Sequence, residues 1–282
     1  MNRELKNISN ELDSFYLDIF TKVDNAAASH RIQFCIVGAS AMYILIKYYY
    51  NNELRLRTTA DIDLSIMIND WQKFNEFSQT LINNFGFIKT DIEHRLMYNG
   101  IPIDIIPFGP IANPDKTINW LSTGRQFNVM GFEETLNFSV PLQICNEPLL
   151  IINFASIAGI TVLKLLAWSD AFPKRKKDAE DFFLLLNNYG DFGNLERMFE
   201  EKTILNSYNA DFDSYQASAM LLAYDIQNMA DPDTIAEILF ILDPSGDKFE
   251  KLIIDIIGNK EYETNFEKTS RLITIFYDSF SK

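Results

Sequence analysis

From residue 61 the chain reads Asp-Ile-Asp-Leu-Ser-Ile, an alternation with a period of two. Successive side chains of an extended strand point to opposite faces, so this period suits a strand and not a helix of 3.6 residues per turn. In a strand, Asp61, Asp63 and Ser65 share one face while Ile62, Leu64 and Ile66 occupy the other. The apolar face has to be buried, which places the segment inside a sheet with two carboxylates on its polar face. Asp61 and Asp63 would then stand about 6.5–7 Å apart at the backbone, close enough to share one or two hard divalent cations, for which magnesium is suited. An Asp-x-Asp pair is also common on solvated strands and loops, so its surroundings decide what it does.

Four further features favour chemistry. In Ile101-Pro102-Ile103-Asp104-Ile105-Ile106 a lone acid interrupts an apolar strand. An unpaired carboxylate buried there would cost several kcal/mol, roughly, so Asp104 is expected to have a partner. As a third acid it completes a set able to hold metal for phosphoryl transfer and could serve as general base; the competing reading is a pair with a basic neighbour such as Arg95. In Val37-Gly38-Ala39-Ser40-Ala41 a small-residue turn leads from the apolar run Gln33-Phe34-Cys35-Ile36-Val37 into a helix, whose first N–H groups, with the Ser40 hydroxyl, suit phosphate oxygens. In Ile160-Thr161-Val162-Leu163-Lys164-Leu165-Leu166 a single ammonium sits on an otherwise apolar helix and needs an anion, unless it reaches the surface. Further on, Lys174-Arg175-Lys176-Lys177 opens a helix in which Asp178 and Asp181 precede apolar residues and are placed to pair inward with Lys164 or Arg57.

The rest of the pattern supports an α/β (α+β) fold, a mixed sheet flanked by helices and followed by a mainly helical half. Apolar residues at Leu5, Ile8, Leu12, Phe15, Ile19 and Val23 predict a helix over residues 2–26. A second helix is predicted to about residue 85, with Asn69 as its cap and Gly86 after its end. Strands are predicted over 87–91, 95–98 and 101–108, the last two joined by an Asn99-Gly100 turn. Beyond residue 156 helical periodicity dominates, with Asp231-Pro232 and Asp243-Pro244 as breaks. A boundary near residue 150 divides a catalytic domain, 1–150, from a helical domain or lobe, 151–282.

Composition narrows the functional classes. A net charge of −14 opposes broad binding of duplex DNA, which depends on many Lys and Arg contacts to phosphate. The apolar stretches around 149–152 and 157–168 fall short of the roughly 20 residues of a membrane helix. The N-terminal residues have no apolar core or small-residue cleavage site of a signal peptide, so a cytoplasmic location is expected. Cys35 and Cys145 lack metal-site spacing and read as reduced thiols. The two histidines read as a loop residue, His30, and a strand-edge residue, His94, neither within a catalytic motif.

Taken in order, Val37-Gly38-Ala39-Ser40-Ala41, Arg57-Thr58-Thr59-Ala60-Asp61-Ile62-Asp63-Leu64, Ile103-Asp104-Ile105, Leu163-Lys164-Leu165-Leu166-Ala167-Trp168 and Lys177-Asp178-Ala179-Glu180-Asp181 resemble the AbiEii/AbiGii toxin branch of nucleotidyltransferases, within the DNA polymerase beta superfamily. The resemblance covers roughly residues 30 to 190. It implies that Asp61, Asp63 and Asp104 ligate Mg2+ and with Lys164 form the catalytic set, and that Gly38, Ser40, Arg57, Thr59, Lys177, Asp178 and Asp181 bind the nucleotide. It further implies NTP as substrate, RNA, tRNA or protein as acceptor, and for some members an antitoxin partner. Ala39 stands where many such chains carry a second Gly or a Ser, leaving the side-chain work to Ser40, and residues 47–56 lengthen the link to the acids.

The expected activity is transfer of a nucleoside monophosphate from an NTP to an acceptor hydroxyl. The alternative is a catalytically inactive module that binds nucleotide or a partner protein. A metal-dependent glycosyltransferase also uses Asp-x-Asp, but the chain ahead of the motif is short for the α/β domain such an enzyme needs.

Overall fold

The computed structural model describes residues 5–56, 61–170, 174–201, 213–258 and 262–281. The chain divides into two compact units, residues 2–156 and residues 157–282. The α/β class expected from the pattern is what forms, with a mixed sheet and flanking helices in the first unit and helices throughout the described part of the second.

The strands of the first unit, in chain order, are β1 (Lys6–Asn7), β2 (Gln33–Val37), β3 (Ile62–Met67), β4 (Ile88–Lys89), β5 (Arg95–Tyr98), β6 (Ile101–Phe108), β7 (Thr117–Asn119), β8 (Gln126–Asn128), β9 (Val140–Cys145) and β10 (Leu150–Phe154). Among the described residues eight of them form one sheet in the order β1-β9-β10-β2-β3-β6-β5-β4, while β7 and β8 make a separate hairpin. β3 lies between β2, antiparallel to it, and β6, parallel to it. That central position explains why Ile62, Leu64 and Ile66 are buried to within a few per cent.

The helices of this unit are α1 (Ser14–His30), α2 (Gly38–Ile44), α3 (Trp71–Phe85) and α4 (Phe132–Asn137). α2 runs directly into one π-helical turn over Leu45–Tyr49. Helix α1 packs on α3 and β10, and Phe20, fully buried, meets Phe154 edge to face at 5.6 Å. Burial of one such ring stabilises the fold by about 1.5–3 kcal/mol.

Local readings needed correction in several places. Lys6 and Asn7 do not extend α1; they pair in parallel with Leu142 and Gln143 of β9. The Asn7 side chain accepts from the Ser9 N–H at 2.9 Å, a local turn that competes with the helix. Ile8 and Leu12 are still buried, but Leu5 and Phe15, assigned to the apolar stripe, are exposed. The cap of α3 is Asp70, which accepts from the Lys73 N–H at 2.8 Å, rather than Asn69; Gly86 ends the helix with φ +77° as expected. The strand expected over 87–91 contracts to two residues, and His30 is the last residue of α1 rather than a loop residue.

In the second unit, α5 (Ile157–Asp170) and α6 (Lys176–Asn188) are followed by helices over Leu195–Glu200, Ser214–Gln227, Pro232–Leu242, Asp247–Ile257 and Tyr262–Asp278. The first Asp-Pro break works by capping. Asp231 accepts from the Thr234 N–H at 2.8 Å with Pro232 in the first turn, where its missing N–H costs nothing. No helix among the described residues is long and apolar enough to cross a membrane.

Candidate active site

The sheet register assembles the acids. Parallel pairing of β3 with β6 sets Asp63 directly beside Asp104, and the two-residue period puts Asp61 on the same face as Asp63. One carboxylate oxygen from each of Asp61, Asp63 and Asp104 can be chosen so that all three lie within 4.8 Å of one another. Asp104 is buried and the other two are half-buried.

The antiparallel partner of Asp63 on the other side is Val37, so the next residue, Gly38, arrives against the Asp63 carboxylate. Gly38 has φ +69°, and a Cβ there would stand 2.0 Å from Asp63 Oδ2 and 2.8 Å from its carboxyl carbon. Glycine is therefore required twice, by the backbone conformation and by the close approach. The turn starts α2 beside the Asp63 carboxylate. Ser40 is fully buried in that turn, its hydroxyl donating to the Val37 carbonyl at 3.4 Å.

Arg95 supplies the partner that Asp104 needs. Its Nε donates to Asp104 Oδ1 and its Nη2 to Oδ2, both at 2.6 Å, a two-pronged contact across adjacent strands. The hydrogen bond to Asp104 holds the guanidinium above its ordinary pKa despite partial burial, and attraction to Asp104, Asp61 and Asp63 adds to the shift. Asp104 is thus both a member of the acid cluster and one half of an ion pair, combining the two alternatives that the sequence left open. Sequence reasoning named Arg95 without placing it in the site, although a signal existed. Asn99 and Gly100 both take positive φ in a two-residue turn, and counting outward from it pairs Tyr98 with Ile101 and Arg95 with Asp104.

The residues before Arg95 secure its strand. The His94 carbonyl accepts from the Ile105 N–H at 2.7 Å, and its ring lies over Trp120 with centroids 5.0 Å apart. Burial holds the His94 imidazole below its ordinary pKa. The Glu93 carboxylate accepts from the N–H groups of Leu121 and Ser122 at 3.1 and 3.0 Å, tying the β7–β8 hairpin to the start of β5.

An all-carboxylate donor set is the hard oxygen environment that magnesium or manganese prefers. One oxygen from each acid lies within 4.8 Å of the others, so closing on a single ion brings them nearer together. Each Asp104 oxygen uses one lone pair on Arg95 and has another available. The residues therefore fit a divalent cation, with the guanidinium as a competing positive charge.

Lys164, Asp178 and Asp181 form a separate constellation inside the second unit. Lys164 Nζ stands 2.8 Å from Asp178 Oδ1 and 2.7 Å from Asp181 Oδ2, and all three residues are buried. Burial pulls the ammonium pKa down, but the two carboxylates outweigh it and leave Lys164 above its ordinary value. Arg175 also bonds Asp178, while Lys177 is exposed. Lys164 is thus an inward partner of both acids; Arg57 and Thr59 lie outside the described residues.

No family model matches the chain, and no curated protein sequence does. Among solved structures the chain is similar to the antibiotic-resistance factor ANT(2'')-Ia in solution, at 13% identity over 70% of this chain and 97% of that one, with a TM-score of 0.37. It is similar also to a CCA-adding enzyme in complex with ATP, at 11% identity over 97% and 82% of the two chains, with a TM-score of 0.29. The Thermotoga maritima CCA-adding enzyme complexed with tRNA gives 11% identity over 96% and 82%, with a TM-score of 0.27. All three TM-scores are below 0.5, so these overlays decide neither the fold nor the chemistry of this chain.

Proposed function

We propose that the protein is a metal-dependent nucleotidyltransferase that moves a nucleoside monophosphate from an NTP to an acceptor hydroxyl. The observation that carries this reading is the meeting of Asp61, Asp63 and Asp104 within 4.8 Å beside the Gly38 turn. Asp61, Asp63 and Asp104 would hold Mg2+, whose charge would offset that of the phosphates and of the developing transition state. The missing side chain of Gly38 lets the Asp63 carboxylate close on the turn, and without ligand Arg95 holds Asp104 on β6. Asp104 would take the proton of the attacking hydroxyl at a carboxylate oxygen. Backbone N–H groups of the first turn of α2, rather than the buried Ser40 hydroxyl, would face the phosphate oxygens.

The motif order that resembles AbiEii/AbiGii chains extends the proposal to a cytoplasmic toxin or defence component, with RNA, tRNA or protein as acceptor and an antitoxin as partner. By that resemblance Arg57 and Thr59 are candidates for the nucleotide site, as are Lys164, Lys177, Asp178 and Asp181. The deciding experiment incubates the protein with each labelled NTP, Mg2+ and cellular RNA or protein. Label transfer abolished by Asp61→Asn is the expected result, and transfer indifferent to that change would remove the enzymatic reading.

A second reading, a nucleotide-binding module without turnover, is favoured by one observation, the occupation of both Asp104 oxygens by Arg95. It requires calorimetric binding of NTP with no transfer to any acceptor.

A further inference from the structure

Arg95 sits where a cation is needed. Its guanidinium donates to both oxygens of Asp104 at 2.6 Å and is attracted by Asp61 and Asp63 as well, so a positive charge already stands at the acid cluster. The register of the Asn99-Gly100 hairpin brings the two side chains together, because Arg95 and Asp104 are directly opposed across β5 and β6. A divalent cation entering the cluster would meet this guanidinium, and like charges at such range repel strongly where water is partly excluded. A nucleoside triphosphate reverses the balance, since its phosphate oxygens offer the planar, two-pronged acceptor geometry for which guanidinium is suited.

We propose that Arg95 is a positioning residue that couples metal loading to nucleotide binding. Without nucleotide it stands in for the metal on Asp104 and keeps affinity for the free ion low; with a triphosphate present it is drawn toward the phosphates and frees Asp104 for the ion. This deepens the nucleotidyltransferase reading and rests on it. Because binding free energies are reciprocal, nucleotide strengthens metal binding by the same factor by which metal strengthens nucleotide binding.

The test titrates the full chain with Mn2+ alone and with Mn2+ plus α,β-methylene analogues of the four nucleoside triphosphates, reading free Mn2+ by electron paramagnetic resonance at pH 8. Arg95→Met keeps an apolar stem without the charge, Arg95→Lys keeps the charge without the fork, and thermal melts establish that each is folded; Arg95→Gln replaces the methionine variant should that one not fold. Arg95→Met is expected to bind Mn2+ alone about tenfold more tightly than the parent and to lose most of the strengthening by nucleotide, a coupling within the usual 5–150-fold range. Arg95→Lys is expected to remain within about threefold of the parent for Mn2+ alone, since it retains the repelling charge. Unchanged or weaker Mn2+ binding by a folded Arg95→Met overturns the coupling and leaves the transferase reading standing. Absence of Mn2+ binding in every protein, with and without analogue, overturns both.

Discussion

A Cβ built on Gly38 would stand 2.0 Å from Oδ2 of Asp63, although the two residues are 25 positions apart in the chain. The contact arises because β2 ends opposite Asp63 and the chain turns into α2 at that point with φ +69°. The shape of the acid cluster therefore depends on the absence of a side chain.

Gly38→Ala is expected to displace the Asp63 carboxylate and to strain the backbone. The left-handed conformation alone costs about 1–2 kcal/mol for an L-residue. Transfer activity should fall about 10²-fold, the usual consequence of misplacing a reacting group by an ångström. Kinetics together with urea unfolding check this, and an alanine variant with full activity would contradict the tight approach.

Asp63→Asn is nearly isosteric, so it should leave the melting temperature close to that of the parent while removing one charge from the acid cluster. Transfer should decrease at least ~10²-fold, a loss typical of removing one electrostatic group from a preorganised site. A Mn2+ titration with nucleotide should show weakened metal binding in the same variant.

Lys164→Met leaves Asp178 and Asp181 buried without their shared ammonium. Breaking a buried ion set by removing one partner costs about 3–5 kcal/mol, whereas replacing all of its members is close to neutral. The triple variant Lys164→Met, Asp178→Leu, Asp181→Leu, which replaces the set by apolar residues, should therefore recover much of the stability lost by the single change. Denaturant unfolding of the two proteins decides the matter.

Acid should weaken the second unit through Asp225. Burial acts to raise this carboxyl, but hydrogen bonds from Arg197 at 2.7 and 2.8 Å and from the Tyr189 hydroxyl hold it below its ordinary value of 3.8. The unfolded chain then takes up the proton first as pH falls, so this contribution is complete above 3.8 and is lost as pH descends through the folded value. Asp225→Asn should flatten the stability curve in that range, as read by urea midpoints measured across acidic pH.

Much of the site was written locally. The alternation from Asp61 to Ile66 placed two acids on one strand face, and the Asn99-Gly100 turn implied that Arg95 faces Asp104, because side-chain period and turn geometry are properties of a few consecutive residues. Asp231-Pro232 likewise marked a break in the helical pattern, and the structure shows it as the capped start of the next helix.

Only the tertiary structure decided which strands become neighbours. Asp63 meets Asp104 because β6 lies parallel to β3, a pairing reached through a long connection that leaves no local pattern in either segment. Lys6 and Asn7 became a strand for the same reason: β9, far along the chain, offered them backbone hydrogen bonds that outweighed a helical apolar period. Short-range periodicity determines what each segment can be, while the choice among possible partners depends on burial and loop closure over the whole unit.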